Sequence, residues 1–458
     1  MLKLSDPSLT TILSYDKKYS ITPAEMKLEK RRLIKEKVIL RRVPDYDPDL
    51  IALAVKEGLE ELALSKKVCG RITIKPNVVM AHHKVAPSAF TRSEFLDGVL
   101  RALEQRNQDI SSITIAEKCG AGLPTSRMFR RAGYHKLKKT HNVKLSPIEE
   151  ARKITIPLKR GKIHDEITTS KEIAENDFLV YLPKLKTNAL TQGMTASIKL
   201  NVGILRDKER MWNHNYNLDE KIVDLLEVGS PDFIATDAIE ISLGGNHLTQ
   251  HGHDLGLIVM AKNPVAHDAV CAHILHLDPR SIHHLRLAHE RGYGPIDLDE
   301  IEISGDFSLS DLQEMTEGLD LGEMRIENID CGWRVFCGQP YCDGGCHGML
   351  LDWLSMIKDR KPKLWKNLPP WTVVMGKYKG NVEADRLMVL GTCSGIFGDV
   401  KARRKAKIRG CPPRHKDLVL WFFLKGGLLN PLFRLDLIFD AYPILFYSWC
   451  KRLIMGRL

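Results

Sequence analysis

Arg71-Ile72-Thr73-Ile74-Lys75-Pro76-Asn77, then Ser93 to Gln105, then Ile113-Thr114-Ile115-Ala116-Glu117-Lys118-Cys119-Gly120-Ala121-Gly122 is the stretch that decides the fold. The first and third segments are short runs rich in β-branched residues, stopped by Pro-Asn and by glycines, as strands are. Between them Phe95, Val99, Leu100 and Leu103 recur at helical spacing behind Thr91, a candidate cap. Strand, helix, strand and Gly-rich loop in that order make a parallel α/β unit, because parallel neighbours need a long crossover.

Outward from this unit the alternation repeats. Strands are expected at Phe178 to Leu182, Phe233 to Thr236, Leu255 to Met260 and Ile301 to Ile303, and helices at Glu220 to Leu226, Val265 to Leu277 and Arg280 to Arg291. The expected architecture is α/β: a doubly wound, mostly parallel sheet from about Arg71 to Gly305 with a smaller C-terminal cysteine-rich α/β module. In that module Trp371 to Gly376 and Arg386 to Gly391 read as buried strands. The expected divisions are an N-terminal extension (1–68), the α/β domain (69–320), the cysteine-rich module (321–416) and a basic amphipathic tail (417–458). The charged run Lys27 to Arg42 reads as a solvated helix or strand lead-in.

At 458 residues the chain exceeds what one core organises efficiently, so more than one domain is expected. With 43% hydrophobic and 27% charged residues it has the balance of a globular protein. From Lys401 to Leu458 there are 13 Lys and Arg against 3 Asp and Glu, so the tail holds ten of the eleven net positive charges. The rest is nearly neutral, which excludes a globally basic nucleic-acid surface. The tail mixes its cations with Trp421, Phe433, Tyr442 and Trp449, which suits peripheral docking on a membrane surface or on an acidic protein partner. Its longest charge-free run, Ala441 to Cys450, is far short of the roughly 20 apolar residues of a span. The N-terminus has no basic region followed by an apolar core, so no secretory signal is expected and the protein is placed in the cytoplasm.

Two constellations carry chemistry. The first is polar and follows strands directly: Lys75 and Asn77, then Lys184 and Lys186 in Pro183-Lys184-Leu185-Lys186-Thr187-Asn188, then Lys199 and Asn201. Ligands of open α/β sheets sit at the carboxyl ends of the strands, so these six residues are candidates to bind an anionic or carbonyl-bearing small molecule. Strand-ending lysines and Asn-mediated turns produce the same pattern without a ligand. No residue is assigned a catalytic role. A Walker-type loop and a dinucleotide fingerprint are lacking, so neither ATP nor NAD is implied.

Lys75-Pro76-Asn77, the Pro-Lys-Leu-Lys-Thr run at 183–187, Lys199-Leu200-Asn201-Val202-Gly203 with His214 downstream, Asp237-Ala238-Ile239 and Asn263-Pro264-Val265-Ala266-His267-Asp268 together resemble domain-of-unknown-function family 362. The resemblance covers about Arg71 to Gly305. It implies the fold and where the site lies, but no reaction. The family's Lys-Thr-His is Lys186-Thr187-Asn188 here.

The second constellation is cysteine. Six of ten cysteines fall between Cys331 and Cys411, which in a reducing compartment points to metal or redox chemistry. Tyr341-Cys342-Asp343-Gly344-Gly345-Cys346-His347-Gly348 precedes an amphipathic helix, Gly391-Thr392-Cys393 ends a strand, and Gly410-Cys411-Pro412-Pro413 follows. Thiolates suit a soft cluster, and adjacent glycines let the backbone approach it. The arrangement is similar to the iron-sulfur small subunits of nickel-iron hydrogenases and their quinone-reductase relatives. That implies a 4Fe-4S cluster on Cys342, Cys346, Cys393 and Cys411, with Cys331 or Cys337 as replacements for either of the first two. Zinc in a structural four-cysteine site is the alternative. Cys69, Cys119, Cys271 and Cys450 are read as core or surface residues. His247, His251 and His253 read as loop residues and His273, His276, His283 and His284 as helical ones, without a ligand pattern.

Overall fold

Sixteen strands and their helices are built from residues 35–82, 86–105, 109–245 and 251–413, which the computed structural model describes together with 417, 418, 446, 450 and 454. In chain order the strands of the main sheet are β1 (Glu36–Arg42), β2 (Gly70–Pro76), β3 (Ile110–Glu117) and β4 (Val143–Pro147). A separate antiparallel pair follows, β5 (Lys153–Pro157) and β6 (Glu166–Ser170). The main sheet resumes with β7 (Phe178–Leu182), β8 (Lys184–Asn188), β9 (Gly193–Thr195), β10 (Phe233–Leu243), β11 (His251–Ala261) and β12 (Ile301–Gly305). Its order is β12-β1-β11-β10-β7-β2-β3-β4, with β8 beside β10 and β9 beside β8. From β10 through β7, β2 and β3 to β4 all pairs are parallel, and antiparallel pairs occur at β11 and between β8 and β9.

The period of two places the sheet between two apolar layers. On β7, Phe178, Val180 and Leu182 enter the core containing the helices Pro48–Glu61 and Ser93–Glu104, while Leu179 and Tyr181 enter the core of the opposite face. The sheet is therefore covered on both faces, as a parallel sheet must be.

Three sequence expectations change. The run ending at Arg42 is not solvated throughout: Glu36–Arg42 is β1, and Val38, Ile39 and Leu40 are fully buried between β11 and β12. The sheet-bearing unit thus begins at about residue 36, ahead of 69, because three consecutive apolar residues suffice for a strand covered on both faces. Thr91 does not cap the helix Ser93–Glu104. Its hydroxyl donates to Leu182 O (2.7 Å) and accepts from Asn77 N (3.0 Å), tying the ends of β2 and β7 together.

The third change concerns the C-terminal unit, which holds four parallel strands where two were expected: β13 (Arg334–Cys337), β14 (Thr372–Lys379), β15 (Val382–Phe397) and β16 (Val400–Ile408), with the helix Gly348–Arg360 packed among them. Two-residue links normally give antiparallel hairpins. Here Lys377 pairs with Gly395 and Val382 with Val400, both 18 residues on and both parallel, so β14 to β16 follow one another as turns of a coil. Cys393 and Cys411 stand at the same 18-residue offset.

Among the described residues no helix is long and apolar enough to cross a membrane. The tail expected to dock peripherally, 417–458, lies almost wholly outside the described residues.

Candidate functional site

The carboxyl ends of β2, β3 and β7 stand side by side, Pro76 opposite Leu182 on one flank and Ile74 opposite Ile115 on the other. At this edge Lys75 is fully buried, and its ammonium donates to Glu117 Oε2 at 2.8 Å at the end of β3. Gly203 is required beside the pair, since a Cβ there would lie 2.2 Å from Glu117 Oε1 and 2.6 Å from Lys75 Nζ. Arg210 laces the flanking loops by donating to the carbonyls of Lys118 and Cys119, each at 2.5 Å, and to Val202 O at 3.2 Å.

Above this floor lies a cavity of about 340 Å³. Lys75, Asn77, Lys186 and Lys199 line it, so four of the six strand-end residues share one space. Lys186 is 1% exposed and donates to Ala89 O at 3.1 Å. Burial, reinforced by the charge of Lys199, pulls its ammonium down to about 7. Burial and then Arg210 pull Lys199 down to about 8. Asn77 Oδ1 and Thr195 Oγ1, both on buried residues of the lining, have no hydrogen-bond partner among the described residues. Buried polar atoms in native proteins are overwhelmingly paired with protein, water or ligand, so these two are open to a partner within the cavity.

Lys184 and Asn201 do not line the cavity. Lys184, opposite Asp237 in the β8–β10 register, donates to Asp237 Oδ1 (3.1 Å) and to Tyr46 OH (2.6 Å), and Tyr46 OH in turn donates to Asp237 (2.8 Å). Asn201 Oδ1 accepts from Tyr181 OH at 2.5 Å. Lys184 is held within the protein by these partners, whereas Asn201 Nδ2 is buried without a hydrogen-bond partner among the described residues. Glu117, Thr195 and Arg210 belong to the site without having been singled out from sequence. For Glu117 a signal existed: an acid ending one strand beside a strand that ends in lysine.

The opposite wall of the cavity comes from the cysteine-bearing unit, through Gly344, Met349, Asp352, Trp353, Met356 and Pro412. His214 Nδ1 bonds to Gly344 O at 2.7 Å, and burial next to Lys221 pushes its pKa down to about 3, so it stays neutral and donates. Its neighbour Asn215 donates from Nδ2 to Cys411 Sγ at 3.4 Å. One short loop therefore touches both the cavity and a candidate ligand thiol.

Cys342 and Cys346 are buried and Cys393 and Cys411 exposed, and the electrostatic neighbours of Cys346 are Cys342, Cys393 and Cys411. The Cys346 thiol donates to Cys342, and backbone N–H groups of Cys346 and Gly345 add to it, holding the Cys342 thiol below its ordinary value. Thr392 N donates to Gly410 O (3.0 Å) and Gly410 N to Thr392 Oγ1 (2.8 Å), fastening the loops of Cys393 and Cys411 together. At Gly391, with φ +100°, a Cβ would lie 2.6 Å from Cys346 Sγ. The donor set is of the type a four-thiolate group takes, with backbone amides on the Cys342 sulfur and glycine clearance at Cys346. Among the described residues, however, no three His, Cys, Asp or Glu side chains converge as a metal-holding group. Of the alternative ligands, Cys337 donates to Glu327 Oε1 at 3.3 Å, and Cys331 sits in the apolar core of the unit. Cys119 lines the cavity as a buried thiol pushed up to about 12, hence a neutral one.

Residues 72–273 match the family described as Domain of unknown function (DUF362), so the match holds the strand-end site and stops before the six cysteines between Cys331 and Cys411. Over 137 residues the chain is 27% identical to a thylakoid-associated protein of Synechocystis sp.; this stretch is 29% of the chain and 42% of that protein. The chain thus matches less than half the length of that curated relative. Among solved structures it is similar to a lactate racemase apoprotein from Thermoanaerobacterium thermosaccharolyticum, with 10% identity, 76% of this chain and 70% of that chain covered, and a TM-score of 0.36.

Proposed function

We propose that this chain is an iron-sulfur protein whose α/β domain binds a small anionic or carbonyl-bearing molecule, and that it works as a redox enzyme or as an electron-transfer component of one. The observation that carries the reading is the shared cavity: unpaired buried polar groups and two lysines on one wall, and on the other the unit that bears the four neighbouring cysteines. Cys342, Cys346, Cys393 and Cys411 would hold a 4Fe-4S cluster, which supplies one-electron or Lewis-acid chemistry when bound. Lys186 and Lys199 would stabilise negative charge on a ligand oxygen, in walls apolar enough to strengthen that interaction. Met349, Trp353 and Met356 give the same space apolar lining. The basic tail, 417–458, would dock the protein peripherally on an anionic membrane or an acidic protein.

Metal analysis of anaerobically purified protein tests the cluster. Brown protein with about four iron and four sulfide per chain is expected, lost in Cys393→Ser and Cys411→Ser and kept in Cys450→Ser. Colourless protein with stoichiometric zinc would replace the reading with a non-catalytic binding module held together by a structural metal.

A further inference from the structure

We infer that Lys186 is a covalent capture site for an aldehyde or ketone, its amine condensing with the carbonyl carbon of a ligand in the cavity to form an imine. The inference rests on reading the cavity as a ligand site, and it selects carbonyl compounds from the broader class of anionic and carbonyl-bearing molecules.

Four buried lysines, Lys75, Lys118, Lys184 and Lys186, stand at this edge, and their partners differ. Lys75 is paired with Glu117 at 2.8 Å, Lys118 with Asp207 at 3.1 Å and Lys184 with Asp237 at 3.1 Å, so each of these has a carboxylate counter-ion. Lys186 has no carboxylate partner among the described residues. The bond that the protein gives its ammonium is to one backbone carbonyl, Ala89 O. An ammonium has three protons to place, and a buried one without a counter-ion relaxes to the neutral amine, which carries the lone pair a nucleophile needs. Its neighbour Lys199 adds like charge and pushes the same way. The thiol of Cys119, which lines the same cavity, is kept neutral by burial.

The orphan groups suit the intermediate. As the Lys186 nitrogen bonds to the carbonyl carbon, the C=O π bond opens and one amine proton moves to oxygen, giving a carbinolamine. Its new hydroxyl can donate to Asn77 Oδ1 and accept from Thr195 Oγ1, the two atoms left without partners. The hydroxyl then takes a proton from Lys199, whose ammonium is acidic near neutrality, the C–O bond breaks and water leaves as the nitrogen lone pair closes the C=N bond, and the proton remaining on that nitrogen returns to the Lys199 amine, leaving the imine. Amine plus carbonyl gives imine plus water, so no oxidant or reductant takes part.

The test is site-resolved trapping on the full-length protein, with butanal as the probe and cyanoborohydride to fix any imine at pH 7. Peptide mass spectrometry at short times reads each lysine. Lys186 should acquire the butyl group on the order of tenfold or more faster than an exposed lysine such as Lys144, since an ordinary amine is almost fully protonated at this pH. Because the comparison is made within one folded chain, it does not depend on a variant folding. Lys186→Met should remove the fast site and leave Lys144 labelling unchanged, and Lys199→Met should slow Lys186 without moving the label. Butyrate, which cannot condense, should protect Lys186 from butanal and raise the melting temperature of the unmodified chain. Labelling of Lys186 no faster than Lys144, with butyrate still raising that temperature, would overturn covalent capture and leave the ligand site standing. No preferential labelling and no butyrate effect would overturn both.

Discussion

Replacing Lys186 with methionine should make the protein more stable, by an amount that depends on pH in a defined way. The amine titrates at about 7 in the folded protein against 10.5 for an ordinary lysine. Below about 7 it is charged in both folded and unfolded chains, and the whole penalty of burying the charge is present. Between about 7 and 10.5 the unfolded chain binds a proton that the folded chain does not, so stability rises by about 1.4 kcal/mol per pH unit. Above 10.5 the amine is neutral in both states and the penalty is gone. The full span corresponds to about 5 kcal/mol, and losing the bond to Ala89 O takes back about 1 kcal/mol. Lys186→Met should therefore gain at most about 4 kcal/mol at pH 6 and close to nothing at pH 10. Urea unfolding of both proteins at pH 6, 8 and 10, followed by circular dichroism, measures the difference. A gap that stays constant across this range, or a less stable variant at pH 6, would refute the reasoning.

Glu117→Leu leaves the fully buried Lys75 unpaired and should destabilise the chain by about 3–5 kcal/mol at pH 7, against less than about 1 kcal/mol for an exposed pair such as Arg286 with Glu290; the melting temperatures compare them. Gly391→Ala places a methyl against Cys346 Sγ at a backbone angle unfavourable to alanine, so iron content per chain should fall while circular dichroism stays unchanged; full iron loading would show that the thiol can move away. A chain ending at Lys416 should remain in the supernatant with anionic liposomes at low salt, where the full chain sediments, and high salt should release the full chain; equal recovery would leave the tail packed on its own protein.

How far the residues disclosed the structure differs between the two units. The main sheet was legible because its strands are short apolar runs with polar stops, and Phe178–Leu182 reads correctly even though both its faces are buried. β1 was hidden because Glu36, Lys37, Arg41 and Arg42 enclose only three apolar residues. The basic strand β16 was hidden because Lys401, Arg403, Arg404 and Lys405 are exposed and mask the alternation. A signal for it did exist. Gly380 recurs as Gly398, Val382 as Val400, Ala384 as Ala402 and Cys393 as Cys411, an 18-residue repeat that a search for internal periods would catch. At the site, Lys75, Asn77, Lys186 and Lys199 could be nominated from their places at strand ends. Which lysine had a partner could not, because Glu117 and Asp237 reach their lysines across strands 42 and 53 residues away.

That partition of partners is what gives the cavity its chemical character. A buried donor or acceptor left unpaired costs about 1–3 kcal/mol, and a buried amine held far from its ordinary pKa adds more. Asn77 Oδ1, Thr195 Oγ1 and Lys186 gather such groups in one space, while Lys75 and Lys184, on the same sheet edge, each have a carboxylate partner. The same fold could relieve Lys186 with an acid at Thr195, and it does not. Such groups are satisfied by a molecule whose oxygen takes bonds from Lys199 and Thr195 and gives one to Asn77. Those demands are met by a carbonyl group converted to a hydroxyl-bearing adduct, whereas a chloride ion, having no proton, leaves Asn77 Oδ1 unsatisfied.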